Sequence, residues 1–243
     1  MRHFEETNRE EVLFEGRIIR VHVDDVTLEN GQPAKREVVD HPGGVSVACL
    51  TDQNELIFVR QFRYPYKEEL LELPAGKLER GEDPFEAMKR EQQEETGTTG
   101  KNYVSLGNLY PTPGYCGEII RLWACRVDQE TGELHLDPDE FLQNLRIPLD
   151  QAVDMVLRNE IPDSKTQVGI LKTAALVEKL QDILLQRDNK LAEQEAQLGG
   201  GQNGGGCHPS PLPPGGADLA GLGGGQKVLG DGRLLLGGNA EGV

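Results

Sequence analysis

Between Val12 and Arg63, apolar and polar residues alternate or run in short blocks broken by turn residues, a strand period rather than a helical one. Val12 to Phe14 and Arg17 to Leu28 read as two strands around a break at Gly16, and Glu29-Asn30-Gly31 turns the chain into a third from Lys35 to Asp40. His41-Pro42-Gly43-Gly44 is a turn that opens into the apolar run Val45 to Leu50, which Thr51 to Asn54 folds back on a hairpin partner, Glu55 to Arg63. His41 reads as a structural turn residue, because no second histidine stands at ligand spacing. Leu70 to Leu73 leads to an irregular Pro74-Ala75-Gly76, and further strands are predicted from Tyr103 to Leu109, from Glu118 to Val127 with Trp123 in packing, and in a stretch ending at Ile147.

The helical period appears in three places. Asp83 is a good N-cap, Pro84 suits the first helical position, Glu86 completes a capping box, and Gly97 ends the helix in a left-handed turn. A second helix spans Leu149 to Asn159, and Asp163-Ser164 caps a third that reaches about Gln197. Val177, Leu184, Leu191 and Leu198 recur there every seven residues, but Arg187 and Gln194 interrupt the seam that a coiled coil needs. From Gly199 onward the chain holds 17 of its 30 glycines, and such a segment is expected to be a disordered tail.

With 243 residues, 37% of them hydrophobic, the chain can bury one good-sized core. Its net charge of −16 argues against a nucleic-acid or anionic-membrane surface, so a phosphate-bearing substrate must be met by local cations. Cys49, Cys116, Cys125 and Cys207 form no CxxC pair, and the N-terminus has no apolar run. The expectation is a reduced, cytoplasmic, soluble protein with no membrane partner.

Chemistry concentrates between Gly76 and Thr98, where Glu79, Glu82, Asp83, Glu86, Glu91, Glu94 and Glu95 crowd one loop and one helix. Glu91 and Glu95 lie one turn apart on one face with Glu94 beside them, a repulsion that a cation relieves, and ligation by oxygen alone suits Mg²⁺ or Mn²⁺. Upstream, Arg60-Gln61-Phe62-Arg63 places two arginines near a strand end, where both are expected to face an anion; the alternative is two surface arginines.

The spacing Gly76, Glu82, Arg90, Glu91, Glu94, Glu95, Gly97 resembles the signature of the Nudix hydrolases. This chain departs from it at Gln92, where the family has an apolar residue, and at Thr98. Arg36-Glu37-Val38-Val39 with His41-Pro42-Gly43, the Arg60 to Tyr64 strand, Glu72-Leu73-Pro74-Ala75-Gly76, Pro113 sixteen residues beyond Gly97, and Glu160 to Thr166 are similar to the ADP-ribose pyrophosphatase group. The resemblance covers about residues 10 to 180.

It implies an α/β/α sandwich around a mixed sheet. Residues 1–42 would form an N-terminal antiparallel sheet that builds a homodimer, 43–180 the hydrolase domain, 181–198 a helical extension and 199–243 the tail. The implied metal ligands are Glu91, Glu95, Glu82, Glu94 and the Ala75 carbonyl. Glu94 and Arg90 are assigned to catalysis, with Arg90 orienting the glutamates, as is Glu140, with Asp139 next, in an acidic loop where Pro138 stands for an expected acid. Arg36, Arg60, Arg63 and Gly114 are the expected substrate contacts.

The implied reaction is Mg²⁺-dependent hydrolysis of ADP-ribose to AMP and ribose 5-phosphate. The alternatives are another nucleotide sugar, or a sensor that binds ADP-ribose without cleaving it. Gln92 is expected beside the metal face rather than on it, and Gln92→Leu is expected to raise stability by roughly 1 kcal/mol.

Overall fold

The computed structural model describes residues 3–132, 134–136 and 141–199. They divide into two compact units, Met1–Val177 and a second that begins at Glu178. In the first, β1 (Glu6–Glu15), β2 (Arg20–Thr27) and β3 (Pro33–Asp40) form an antiparallel sheet in that order. β1 begins well before Val12, because pairing from Glu6↔Thr27 to Glu15↔Arg20 gives the backbone of its polar half a partner that no side-chain pattern shows. Gly16 N–H donates to the Ile19 carbonyl at 2.9 Å and closes the turn. Every residue of β1 is exposed, including Val12, Leu13 and Phe14.

The second sheet holds β4 (Gly44–Leu50), β5 (Glu55–Arg63), β6 (Glu68–Glu72), β7 (Ala75–Lys77), β8 (Thr98–Leu109), β9 (Ile120–Glu130) and β10 (Leu142–Pro148). Its central order is β10-β5-β4-β9-β8, with β6 on β5 and β7 on β4. β4 runs parallel to β9, from Gly44↔Ile120 to Leu50↔Arg126, while its antiparallel register with β5 is confined to Leu50↔Leu56. The expected hairpin is therefore a brief contact within a mixed sheet. The expected irregular backbone at Ala75-Gly76 is instead a short strand, Ser46↔Ala75 and Val45↔Gly76 in register.

Alternation along β4 sends side chains to two cores. Val45, Val47 and Cys49 pack with Ala87 and Met88 of α1 (Pro84–Thr96), with Phe85, Tyr103 and Trp123 at the margin. Ala48 and Leu50 pack with Phe58, Leu73, Ala152 and Val156 of α2 (Leu149–Leu157), and Ile170 of α3 (Ser164–Gly199). Helices thus cover both faces, which is the α/β/α sandwich.

Asp83 caps α1 as expected, its Oδ1 accepting from Phe85 N–H at 3.0 Å and Glu86 N–H at 3.1 Å, and Gly97 ends the helix at φ 63°. The return half of the capping box is replaced, since Glu86 Oε1 accepts from Lys89 at 2.8 Å. The tail from residue 200 lies outside the described residues. Among the described residues, no helix is long and apolar enough to cross a membrane.

Candidate active site

Helical spacing puts Arg90, Glu91, Glu94 and Glu95 on neighbouring positions of α1, and the loop before the helix brings Glu82 to them. Arg90 gathers the carboxylates: Nε donates to Glu82 Oε1 at 3.0 Å, Nη1 to Glu94 Oε2 at 2.7 Å, and Nη1 lies 2.9 Å from Glu91 Oε1. The Arg90 bond, with help from Glu79 N–H, holds Glu82 below the usual carboxylate range, and Arg90 itself is pushed up, first by Glu82. One guanidinium faces three carboxylates, so the cluster keeps excess negative charge for a further cation.

β7 closes the other side. Ala75 N–H donates to Glu95 Oε2 at 2.9 Å, and the Glu95 side chain is buried. At Gly76 an added Cβ would sit 1.9 Å from Glu91 Cδ and 2.0 Å from Oε1, so the Glu91 carboxylate rests in the space a side chain would fill. Oxygen donors only, two on one helix face and a backbone strand against them, fit a hard divalent cation.

The expected substrate contacts are not gathered in one place. Arg60 and Arg63 are three apart on a regular strand and therefore leave opposite faces of β5, which corrects the expectation that both face one anion. Arg60 is exposed, while Arg63 is locked on Glu72, Nε to Oε1 and Nη2 to Oε2, each at 2.6 Å. Arg36 lies in the N-terminal sheet, its Nε donating to Glu5 Oε2 at 2.8 Å. Gly114 has open space around it, so no atom among the described residues requires glycine there. Its loop is pinned to β3, where Val39 N–H donates to the Tyr115 carbonyl at 2.8 Å and Gly117 N–H to the Val39 carbonyl at 2.9 Å. Glu140, Asp139 and Pro138 lie outside the described residues. His41 acts as a turn residue, Nδ1 accepting from Gly43 N–H at 3.1 Å.

A model of the NUDIX domain matches residues 40–167, more than half the chain. The chain belongs to the Nudix hydrolases. Ahead of this domain, residues 5–39 match the nucleoside diphosphate sugar hydrolase N-terminal domain. The chain is similar to the ADP-ribose pyrophosphatase of Bacillus subtilis, 40% identical over 169 residues, which cover 68% of this chain and 90% of that protein. It is equally similar to the methanol dehydrogenase activator of Bacillus methanolicus, 40% identical over 167 residues with the same coverage. A solved structure of an ADP compounds hydrolase superposes with a TM-score of 0.63 over 72% of this chain and 95% of that one; at 20% identity it speaks for the fold.

Where this chain departs from the Nudix signature, the departures meet one another. Gln92 is fully buried, its Nε2 donating to Thr98 Oγ1 at 3.1 Å and its Oε1 accepting from Tyr103 O–H at 2.8 Å. Thr98 and Thr96 share a hydroxyl contact at 2.7 Å, and Thr96 O–H donates to the Gln92 carbonyl. The two polar residues that stand in apolar places of the family pattern thus satisfy each other. Burial raises the Tyr103 phenol above its ordinary range.

Two charged residues of the Nudix domain, Glu72 and Lys165, lie within the family-like segments, and only the fold brings them together. Burial alone would raise Glu72, but the bonds and charges of Arg63 and Lys165 reverse this and leave it below the usual carboxylate range. A second cluster, Glu10, His22 and Asp24, has ligand atoms within 4.8 Å of one another in the N-terminal sheet, where Arg20 already bonds Glu10 and Asp40.

Proposed function

We propose that this Nudix hydrolase cleaves the pyrophosphate bond of a nucleoside diphosphate sugar, ADP-ribose foremost, to give AMP and ribose 5-phosphate. The observation that carries the reading is the seat formed by Gly76, Ala75 and the α1 carboxylates, paired with an N-terminal match to nucleoside diphosphate sugar hydrolases. Glu91, Glu95, Glu82, Glu94 and the Ala75 carbonyl would hold Mg²⁺, with Mn²⁺ able to replace it. Such an ion, when bound, polarises a phosphoryl oxygen and lowers the pKa of water.

The chain's own contribution is positional. Arg90 aims the carboxylates, Ala75 N–H fixes Glu95, and Arg63 keeps its Nη1 edge for a substrate phosphate. Arg36 and Gly114 are retained as substrate contacts, and Glu140 as the loop acid. The exposed Val12, Leu13, Phe14, Ile18 and Ile19 support a homodimer through the N-terminal sheet.

A second reading keeps the chemistry and changes the sugar nucleotide. Two relatives of equal identity carry different names, and loops set selectivity on a shared catalytic box. The test is AMP or other nucleoside monophosphate release with Mg²⁺ across a panel of nucleoside diphosphate sugars. ADP-ribose is expected to give the highest kcat/KM; a different best substrate moves the reading to the second, and binding without product release establishes the sensor.

A further inference from the structure

A buried ion network lies outside the box. Glu72, at the end of β6, has a side chain 1% exposed, and Lys165, in the first turn of α3, one 9% exposed. Charges so deeply buried persist only with partners in good geometry. Arg63 covers both Glu72 oxygens with its Nε and Nη2 edge, and Lys165 Nζ donates to Glu72 Oε2 and, at 3.0 Å, to Asp163 Oδ2. Asp163 in turn caps α3, accepting from Thr166 N–H at 2.9 Å. Two cations balance two carboxylates. Because the fork uses one edge of Arg63, Nη1 carries no hydrogen bond among the described residues, and the side chain stays 38% exposed.

We propose that Lys165 is a positioning residue: by balancing and holding Glu72, it fixes the Arg63 guanidinium with Nη1 turned out to an anionic oxygen of the substrate. This rests on the reading of Arg63 as a phosphate contact. Removing the ammonium leaves Asp163 and Glu72 to one guanidinium, so the network gains net negative charge beside an anionic substrate, and the fork loses the partner that anchors its carboxylate. The neighbouring Thr166 serves a different part of the site, its Oγ1 accepting from Leu73 N–H at 2.9 Å on the strand connection to Ala75. Lys165 is assigned to substrate binding through Arg63, and Thr166 to the strand connection.

The experiment compares full-length wild type, Lys165→Met, Lys165→Arg, Arg63→Ala and the Lys165→Met/Arg63→Ala double variant with ADP-ribose at varied Mg²⁺. Lys165→Met is expected to raise KM about ten-fold, the scale of one charge-assisted hydrogen bond, with kcat and the Mg²⁺ midpoint within about three-fold. Lys165→Arg is expected to recover most of the KM. The double variant should be no worse than Arg63→Ala, because both act through one guanidinium. An unchanged KM in Lys165→Met while Arg63→Ala raises it, or additive losses in the double variant, overturns the proposal. An unchanged KM in Arg63→Ala refutes the phosphate reading of Arg63, and the proposal falls with it. If Lys165→Met does not fold, Lys165→Gln, which removes the charge but keeps a donor for Glu72, is read by the same criteria.

Discussion

Replacing Gln92 with leucine is expected to destabilise the fold, the reverse of what the apolar family position suggests. Leucine gains apolar burial worth about 1 kcal/mol over the amide. Against this, the part-buried Tyr103 hydroxyl loses its acceptor at 2.8 Å, at a cost of roughly 1–3 kcal/mol. Tyr103 still accepts from Gly100 N–H at 3.0 Å, so only its proton is stranded. Thr98 loses the Gln92 amide but keeps its contact with Thr96, which adds a net loss of about 0.5–1.5 kcal/mol. The balance is a loss of about 0.5–3.5 kcal/mol, or roughly 1–14 °C in Tm for a domain of this size.

Urea and thermal unfolding of Gln92→Leu, Tyr103→Phe and the double variant measure it. The double variant should recover about 1 kcal/mol relative to the sum of the singles, because no phenol proton remains to be stranded. Turnover should stay within about three-fold, since the Gln92 side chain is engaged by Thr98, Tyr103 and Cys125 and is not itself one of the assigned metal ligands. A Gln92→Leu protein as stable as wild type would refute the reasoning and show that apolar gain outweighs the polar network.

Three further outcomes are expected. Gly76→Ala should lose activity about 10- to 100-fold with less than about 1 kcal/mol of stability, because the added methyl displaces the flexible end of Glu91 rather than backbone; equal activity would remove Gly76 from the seat. Glu95→Gln should fold, since an amide oxygen can still accept from Ala75 N–H, yet turn over on the order of 10²-fold more slowly or worse, and wild-type turnover would refute the metal assignment. His22, first through its bond to Asp24, holds its proton above the ordinary histidine range. Its contribution to the N-terminal sheet is therefore full below the unfolded pKa of about 6.5 and lost as pH rises through the higher folded value. An NMR titration of the ring with a midpoint at or below about 6.5 would contradict this.

The local rules sufficed where a residue type has one job. Asp83, Pro84 and Gly97 bound α1 because capping and left-handed termination depend on neighbours in the chain, and the spacing of Arg90, Glu91, Glu94 and Glu95 follows from 3.6 residues per turn. The apolar run of β4 is likewise what a strand buried on both faces requires. What tertiary structure decided are the pairings between distant segments. The parallel pairing of β4 with β9 unites residues more than 70 apart, and the strand state of Glu6 to Glu11 comes from β2, not from its own polar side chains.

The same holds for chemistry. Nothing local to Gln92 reveals that Tyr103 and Thr98 await its amide, and Glu72 and Lys165 stand 93 residues apart. Arg63 was legible as a cation near a strand end, but its period-two opposition to Arg60 and its clamp on Glu72 needed the register of β5 with β6 and the placement of α3. A sequence states which charges exist, whereas burial decides which of them must find one another, because only out of water does an unpaired charge become costly.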